Sequence, residues 1–170
     1  TKKYDAVRRC PDRGFDCDKM AIERMKHFVS KEAFNIEGFG KKIIENFWKI
    51  KLIRLPQDIF NLDFDKVEKM DGWGNQSVNN LKYSIEQKKN ISLERFIYSL
   101  GIRHIGLENA KILSKYFKSL KNFSSLSVKK QFNELLNIDG IGETQVNSIK
   151  NFFSNKKNLN ILKKLEKILT

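Results

Sequence analysis

Residues 67–76 read V-E-K-M-D-G-W-G-N-Q, and the reading given to this stretch decides the fold. Taken as K-M-D-G (Lys69 to Gly72), it sets a lysine beside an aspartate, as in a nucleophilic amine awaiting a nucleotide. Taken as M-D-G-W-G (Met70 to Gly74), it is a tight glycine turn whose backbone grips an anion. Lys69 is a reactive group in the first case and a bystander in the second.

The second reading repeats along the chain. Seven of the nine glycines fall in four clusters: I-E-G-F-G (Ile36 to Gly40), M-D-G-W-G, I-R-H-I-G (Ile102 to Gly106) and I-D-G-I-G (Ile138 to Gly142). Their final glycines, at 40, 74, 106 and 142, are 34, 32 and 36 residues apart. So even a period marks a repeated supersecondary unit. Ile44, Val78, Ala110 and Val146 stand four residues after each final glycine, and Phe47, Leu81, Leu113 and Ile149 seven after. Those offsets share one face of a helix starting at the turn. Ile36, Met70, Ile102 and Ile138 supply an apolar residue four positions before it. With 2 Pro and 9 Gly in 170 residues and long stretches at helical spacing, the chain is expected to be all-α. Each unit reads as helix, tight turn, helix. Where M-D-G-W-G has Lys69, two other turns have Asn35 and Asn137, so the lysine is incidental while the glycines recur. An adenylylated lysine also needs a mixed α/β nucleotide pocket, which an all-α chain does not supply.

A turn this short requires positive φ, which glycine visits cheaply. The following helix presents unpaired N–H groups and the positive end of its dipole at the same point. Together these suit a phosphate, and they position a protein on a nucleic-acid backbone without reading sequence. The candidate contacts in turn one are Gly38, Phe39 and Gly40, followed by the cations Lys41 and Lys42. In turn two they are Gly72, Trp73 and Gly74, followed by the neutral donors Asn75 and Gln76. Turn three offers Arg103, His104, Ile105 and Gly106; His104 replaces the first glycine, so a different geometry is expected. Turn four offers Gly140, Ile141, Gly142 and Thr144, but Glu143 repels phosphate, which makes this turn mainly structural. The tips Phe39, Trp73 and Ile141 either pack beneath their turns or face a minor groove. The competing reading is a helical protein-interaction array whose glycines only allow close packing.

Charge favours a polyanion partner. There are 33 Lys+Arg against 20 Asp+Glu, a net charge of +13. Codon drift in an AT-rich genome explains some of the lysine but not the shortage of acids. No apolar run reaches the ~18 residues needed to cross a bilayer. Two cysteines, Cys10 and Cys17, are too few for a disulfide scaffold, and no secretory signal is visible. The chain therefore reads as soluble, intracellular and reduced. It begins without Met amid charged residues, which reads as a piece of a longer protein. The basic, amphipathic stretch from Asn158 to Leu169 suits a membrane-surface helix in principle, but a closing helix packed on the core is the preferred reading. His27 is expected to cap or pack, and Trp48 to be a core or surface aromatic.

The repeat has the form of the helix-hairpin-helix motif, and flanking words narrow the family. H-F-V-S-K-E-A-F-N-I-E-G-F-G (His27 to Gly40) and R-F-I-Y-S-L-G-I-R-H-I-G (Arg95 to Gly106) resemble the hairpin domain of bacterial NAD-dependent DNA ligases, from about Arg9 to the end of the chain. The resemblance implies a parent enzyme that uses NAD, magnesium and zinc to seal nicks in replication and repair. It implies an adenylation domain, an OB-fold and a terminal BRCT domain, all outside these residues. Cys10 and Cys17 would match the second pair of a four-cysteine zinc finger, although their C-x6-C spacing is longer than that family's pattern. Tetrahedral zinc needs four ligands, so the site is at most half present; Asp16, Asp18 and His27 could in principle complete a makeshift one. Two free thiols are the preferred reading, with no cofactor held by this chain.

These readings combine into an all-α fold of four helix-hairpin-helix motifs in two pseudo-symmetric pairs, preceded by a partial zinc-finger segment. Residues 1–29 are assigned to the finger remnant and a connecting helix. Residues 30–170 are assigned to the DNA-binding domain, with motifs near 34–48, 68–82, 100–114 and 136–150. The pairs one–two and three–four are expected to pack about a pseudo-two-fold axis. The expected partner is duplex DNA, preferably nicked, bound by a non-catalytic monomer with no membrane contact, in the bacterial cytoplasm at the nucleoid. The rivals are a DNA glycosylase, which carries a single hairpin, the hairpin tail of another repair or recombination protein, and a basic helical docking module.

Overall fold

The structure is a computed structural model that describes residues 18–169. Regular structure among them is helical throughout, in ten α-helices and two short 3-10 helices, with no strand. Two compact units form: one comprises the described residues up to Ser30 together with Ile36–Gln87, the other Lys31–Asn35 with Lys88 onwards. The expected cysteine pair at Cys10 and Cys17 lies outside the described residues.

The first unit opens with α1 (Asp18–Val29), whose acid at the start and Lys26 and His27 at the end match the helix dipole. Its Met25, Phe28 and Val29 are buried. Lys26 Nζ reaches Glu45 on α2 (Lys41–Lys49) at 3.2 Å. Burial alone would lower the Lys26 pKa, but the contacts with Glu45 and Glu23 outweigh it and raise it. A 3-10 helix (Pro56–Asn61) follows, its start tied by Asp58 Oδ2, which accepts from the amides of Arg54 and Leu55 at 2.9 and 2.8 Å. The unit ends with α3 (Phe64–Glu68), capped by Asp63, and α4 (Asn75–Gln87). Trp48 belongs to the core, with the Arg54 guanidinium 4.4 Å from its ring centre.

The second unit contains α5 (Leu93–Ser99), α6 (Leu107–Phe117), α7 (Leu120–Ser124) and α8 (Leu126–Lys129). A 3-10 helix (Asn133–Asn137), α9 (Glu143–Ser154) and α10 (Lys156–Ile168) complete it. Ser92, Ser119 and Asn155 cap α5, α7 and α10 through side-chain oxygens that accept backbone amides. Phe117, Phe123, Phe132, Phe152 and Phe153 interlock in its core, mostly edge to face. Arg95 Nη1 donates to the carbonyls of Lys31 and Ala33, each at 2.9 Å, and Phe34 packs edge-on against Phe96. These contacts bind residues 31–35 to the second unit rather than the first.

The repeat is visible as geometry. In every turn the tip amide donates to the carbonyl three residues back: Phe39 to Ile36, Trp73 to Met70, Ile105 to Ile102 and Ile141 to Ile138, at 3.0–3.4 Å. In every turn the final glycine's carbonyl accepts the first bond of the next helix, from Ile44, Val78, Ala110 and Val146. Those four residues and Phe47, Leu81, Leu113 and Ile149 are all buried, as the periodicity predicts. The element before each turn is less uniform than a simple helix–turn–helix repeat. Residues 30–40, without regular helix, separate α1 from α2; α3 is five residues long, and a 3-10 helix precedes turn four.

Candidate nucleic-acid interface

The two glycines of a turn serve different physical ends. The first carries the chain into the left-handed region: φ is +86° at Gly38, +82° at Gly72 and +91° at Gly140. His104 occupies the same place in turn three with φ +65°. The different geometry expected there does not appear, because the Ile105 to Ile102 bond forms as in the other turns. A non-glycine residue in this region is strained and needs support. Asn109 Nδ2 donates to the His104 carbonyl at 3.0 Å, and His104 Nδ1 lies 2.9 Å from Ser148 Oγ.

The second glycine has no such backbone reason. Gly40 (φ −75°, ψ 171°) and Gly106 (φ −88°, ψ −165°) are N-caps in ordinary extended conformation. A Cβ added at Gly40, Gly74 or Gly106 would meet nothing within 4 Å. Ser, Asp or Asn would cap the following helix better, so the fold alone does not call for glycine here. An open approach to the first amides of the helix is what glycine leaves.

The four amides are not equally open. Gly74 N donates to Ser77 Oγ at 2.8 Å and Gly142 N to Gln145 Oε1 at 3.0 Å. The amides of Gly40 and Gly106 have no partner among the described residues. One position decides this, the third residue after the final glycine, from which a polar side chain can reach back to the cap amide. It is Ser77 in turn two and Gln145 in turn four. In turn one it is Ile43, which cannot bond; in turn three it is Asn109, whose amide turns to His104 instead. Each unit therefore holds one open turn and one self-satisfied turn.

Within each unit the turns brace each other. In the first, Gly38 packs on Leu81 of α4, and Trp73 of turn two lies 5.9 Å from Phe47 of α2. In the second, Gly140 packs on Ile112 of α6, and His104 of turn three bonds Ser148 of α9. Each turn rests on the helix its partner turn begins. Turns one and two flank an open groove of about 650 Å³ whose lining includes Gly38, Gly72, Trp73, Asn80, Leu81 and Tyr83.

A search of protein families finds the helix-hairpin-helix motif over residues 95–162. A DNA ligase of Pelagibacter ubique (strain HTCC1062) is 65% identical over 169 residues, which is 99% of this chain and 25% of that protein. DNA ligases of Rickettsia bellii (strain RML369-C) and Rickettsia rickettsii (strain Sheila Smith) are 44% and 45% identical over 177 residues, covering 97% of this chain and 26% of theirs. The chain is homologous to one quarter of a DNA ligase. It spans about a quarter of the length of these curated relatives.

The candidate side chains fall into two groups. Lys41, Lys42, Asn75, Gln76, Arg103, His104 and Thr144 are exposed beside their turns. Phe39, Ile105 and Ile141 are buried to about 5% exposure, so their side chains serve the core; Trp73 is half-buried. Of the residues that shape the turns, Ser77, Asn109, Gln145 and Ser148 are not evident from the glycine pattern, though the first three follow from the capping-box offset. Among the described residues no three His, Cys, Asp or Glu side chains gather to hold a metal ion. The zinc expectation rests on Cys10 and Cys17, outside the described residues. No described helix is long and apolar enough to cross a membrane.

Proposed function

We propose that the chain binds duplex DNA through its backbone phosphates, as the DNA-gripping region of an NAD-dependent DNA ligase that seals nicks in replication and repair. The observation that carries this reading is the uncapped glycine at Gly40 and Gly106. Both have ordinary backbone angles and free space for a side chain, and their amides stand unpartnered at the positive end of a helix. A phosphate oxygen accepts from these amides, and Lys41, Lys42 and Arg103 supply neighbouring charge. Because the contacts are to phosphates, binding is independent of base sequence. Nicked duplex is the preferred form, and the ligase's NAD, magnesium and zinc chemistry resides outside these turns. Residues 1–29 correspond to the end of the zinc finger and its connecting helix, and the bacterial cytoplasm and nucleoid are the place of action of a monomeric ligase.

Fluorescence anisotropy against salt tests the reading. With roughly six phosphates engaged, log K falls against log salt with a slope of about −5. Replacing Lys41 and Lys42 with Ala weakens binding equally for unrelated sequences and makes the slope shallower by about 2. A slope near zero refutes the phosphate grip, and loss confined to one sequence makes the contact base readout.

A further inference from the structure

The last helix carries charge that the turns do not use. The rotation of α10 is fixed by what it buries: Asn158, Ile161, Leu162 and Leu165 face inward, with Asn158 Nδ2 donating to the Phe152 carbonyl at 3.2 Å. At about 100° per residue, Lys156, Lys163 and Lys167 then share an outward arc of roughly 40°, with Lys157 and Lys164 both to one side of it. All five are exposed. Lys156, Lys163, Lys164 and Lys167 have no acidic partner among the described residues. Glu166, the one acid on the helix, instead accepts from Ser124 Oγ at 3.2 Å. From Lys156 to Lys167 the stripe runs about 16 Å along a packed helix, at a rise of about 1.5 Å per residue.

We propose that this lysine stripe is a second duplex-contact surface, distinct from the glycine turns, that engages further phosphates of the same DNA. The inference rests on the duplex-binding reading above and adds a contact region to it. Lys156 is separated from Gly142 by the whole of α9, about 18 Å of helix, so this end of the stripe lies away from turn four. The chemistry of the face selects the partner. A helix lying on a bilayer needs an exposed apolar side, and the apolar side of α10 is buried in its own unit. Protein partners are anchored by aromatic and apolar residues, whereas the outward arc here presents lysines and Asn160. A row of fixed cations without an apolar anchor suits a phosphate backbone, which binds by releasing its counterions.

The test replaces Lys156, Lys163, Lys164 and Lys167 together with Gln, in parallel with the Lys41/Lys42 pair. The four sites are exposed, so unchanged circular dichroism is expected of the variant. If the stripe neutralises about three phosphates, the salt slope becomes shallower by about 2.7 and affinity near 0.15 M salt falls roughly 100-fold. A second readout is acetylation of exposed lysines followed by mass spectrometry, in which duplex DNA protects Lys163 and Lys167. If the four-lysine variant binds duplex like the parent at every salt concentration while the Lys41/Lys42 variant is weakened, the stripe proposal fails alone. If neither the parent nor any variant binds duplex, the reading of the turns fails too. Retention of the parent on anionic-lipid vesicles, lost in the four-lysine variant while DNA binding is unchanged, makes the stripe a membrane contact and overturns the proposal.

Discussion

Replacing Gly106 with Asp separates what the fold wants from what a phosphate wants. Gly106 is the N-cap of α6, with extended angles and open space for a Cβ. An aspartate there accepts from the unbonded amides of the first turn and meets the positive end of the helix dipole. Capping contributes about a few tenths of a kcal/mol relative to glycine. The dipole adds about 0.3–1 kcal/mol, part of which the neighbouring Glu108 offsets. The net expectation is a gain of about 0.5–1 kcal/mol, read as a higher urea midpoint at unchanged slope. For DNA the sign reverses. The carboxylate occupies the amides a phosphate would use and stands within about 4–5 Å of the phosphate charge, where repulsion is worth roughly 1–4 kcal/mol at dielectrics between water and a protein surface. Affinity is therefore expected to fall about 5-fold or more, since 1.4 kcal/mol is tenfold. Gly142→Asp is the control, because its amide is already held by Gln145, and its effect on affinity is smaller. Urea denaturation and anisotropy on the same preparations check both signs. A Gly106→Asp protein that binds DNA as tightly as the parent would falsify the open-amide argument, whatever its stability.

Two further outcomes follow from the same geometry. Gly72→Ala and Gly140→Ala both force alanine into positive φ, at a cost of about 1–2 kcal/mol. At Gly140 the new Cβ would also lie 2.8 Å from Ile112 Cδ1, against open space at Gly72. Gly140→Ala is therefore expected to lose about 0.5–1.5 kcal/mol more, the cost of an off-rotamer Ile112, and equal urea midpoints for the two would refute the packing of turn four on α6. Incubation of the chain with NAD is expected to yield no lysine–AMP mass increment, since Lys69 is an exposed C-cap of the short α3; an adduct on Lys69 would restore the K-M-D-G reading.

Much of this was legible in the sequence because glycine spacing and apolar offsets report on the same object. A left-handed turn excludes most residues, so Gly38, Gly72 and Gly140 stand out, and the buried positions four and seven residues past each final glycine follow from helix geometry. His104 misled for a physical reason. Sequence registers the missing glycine but not the compensation, since Asn109 lies on the next helix and Ser148 on another motif, 44 residues away. For the tips the sequence left packing and groove contact both open, with packing preferred for Ile141. Phe39, Ile105 and Ile141 sit between or beside glycines on exposed turns, yet the tip amide's bond to the carbonyl three residues back accompanies side chains turned into the core.

The third position past the final glycine carries the finest distinction and was open to inspection from the start. Read only for apolar periodicity, Ile43, Ser77, Asn109 and Gln145 are unrelated residues on half-exposed helix faces. Read for hydrogen-bond reach, they sort the four turns into two that satisfy their own glycine amide and two that leave it open. One of each falls in either unit. A fold under selection for stability alone would close all four, because an unsatisfied amide at a helix start gains from any nearby acceptor. Closure at turns two and four and its absence at turns one and three point to division of labour within each braced pair. The closed turn and its helix stiffen the support on which the open turn rests, as Leu81 of α4 does beneath Gly38. Affinity for phosphate should then depend on the closed turns only through the geometry they impose, and on the open turns directly.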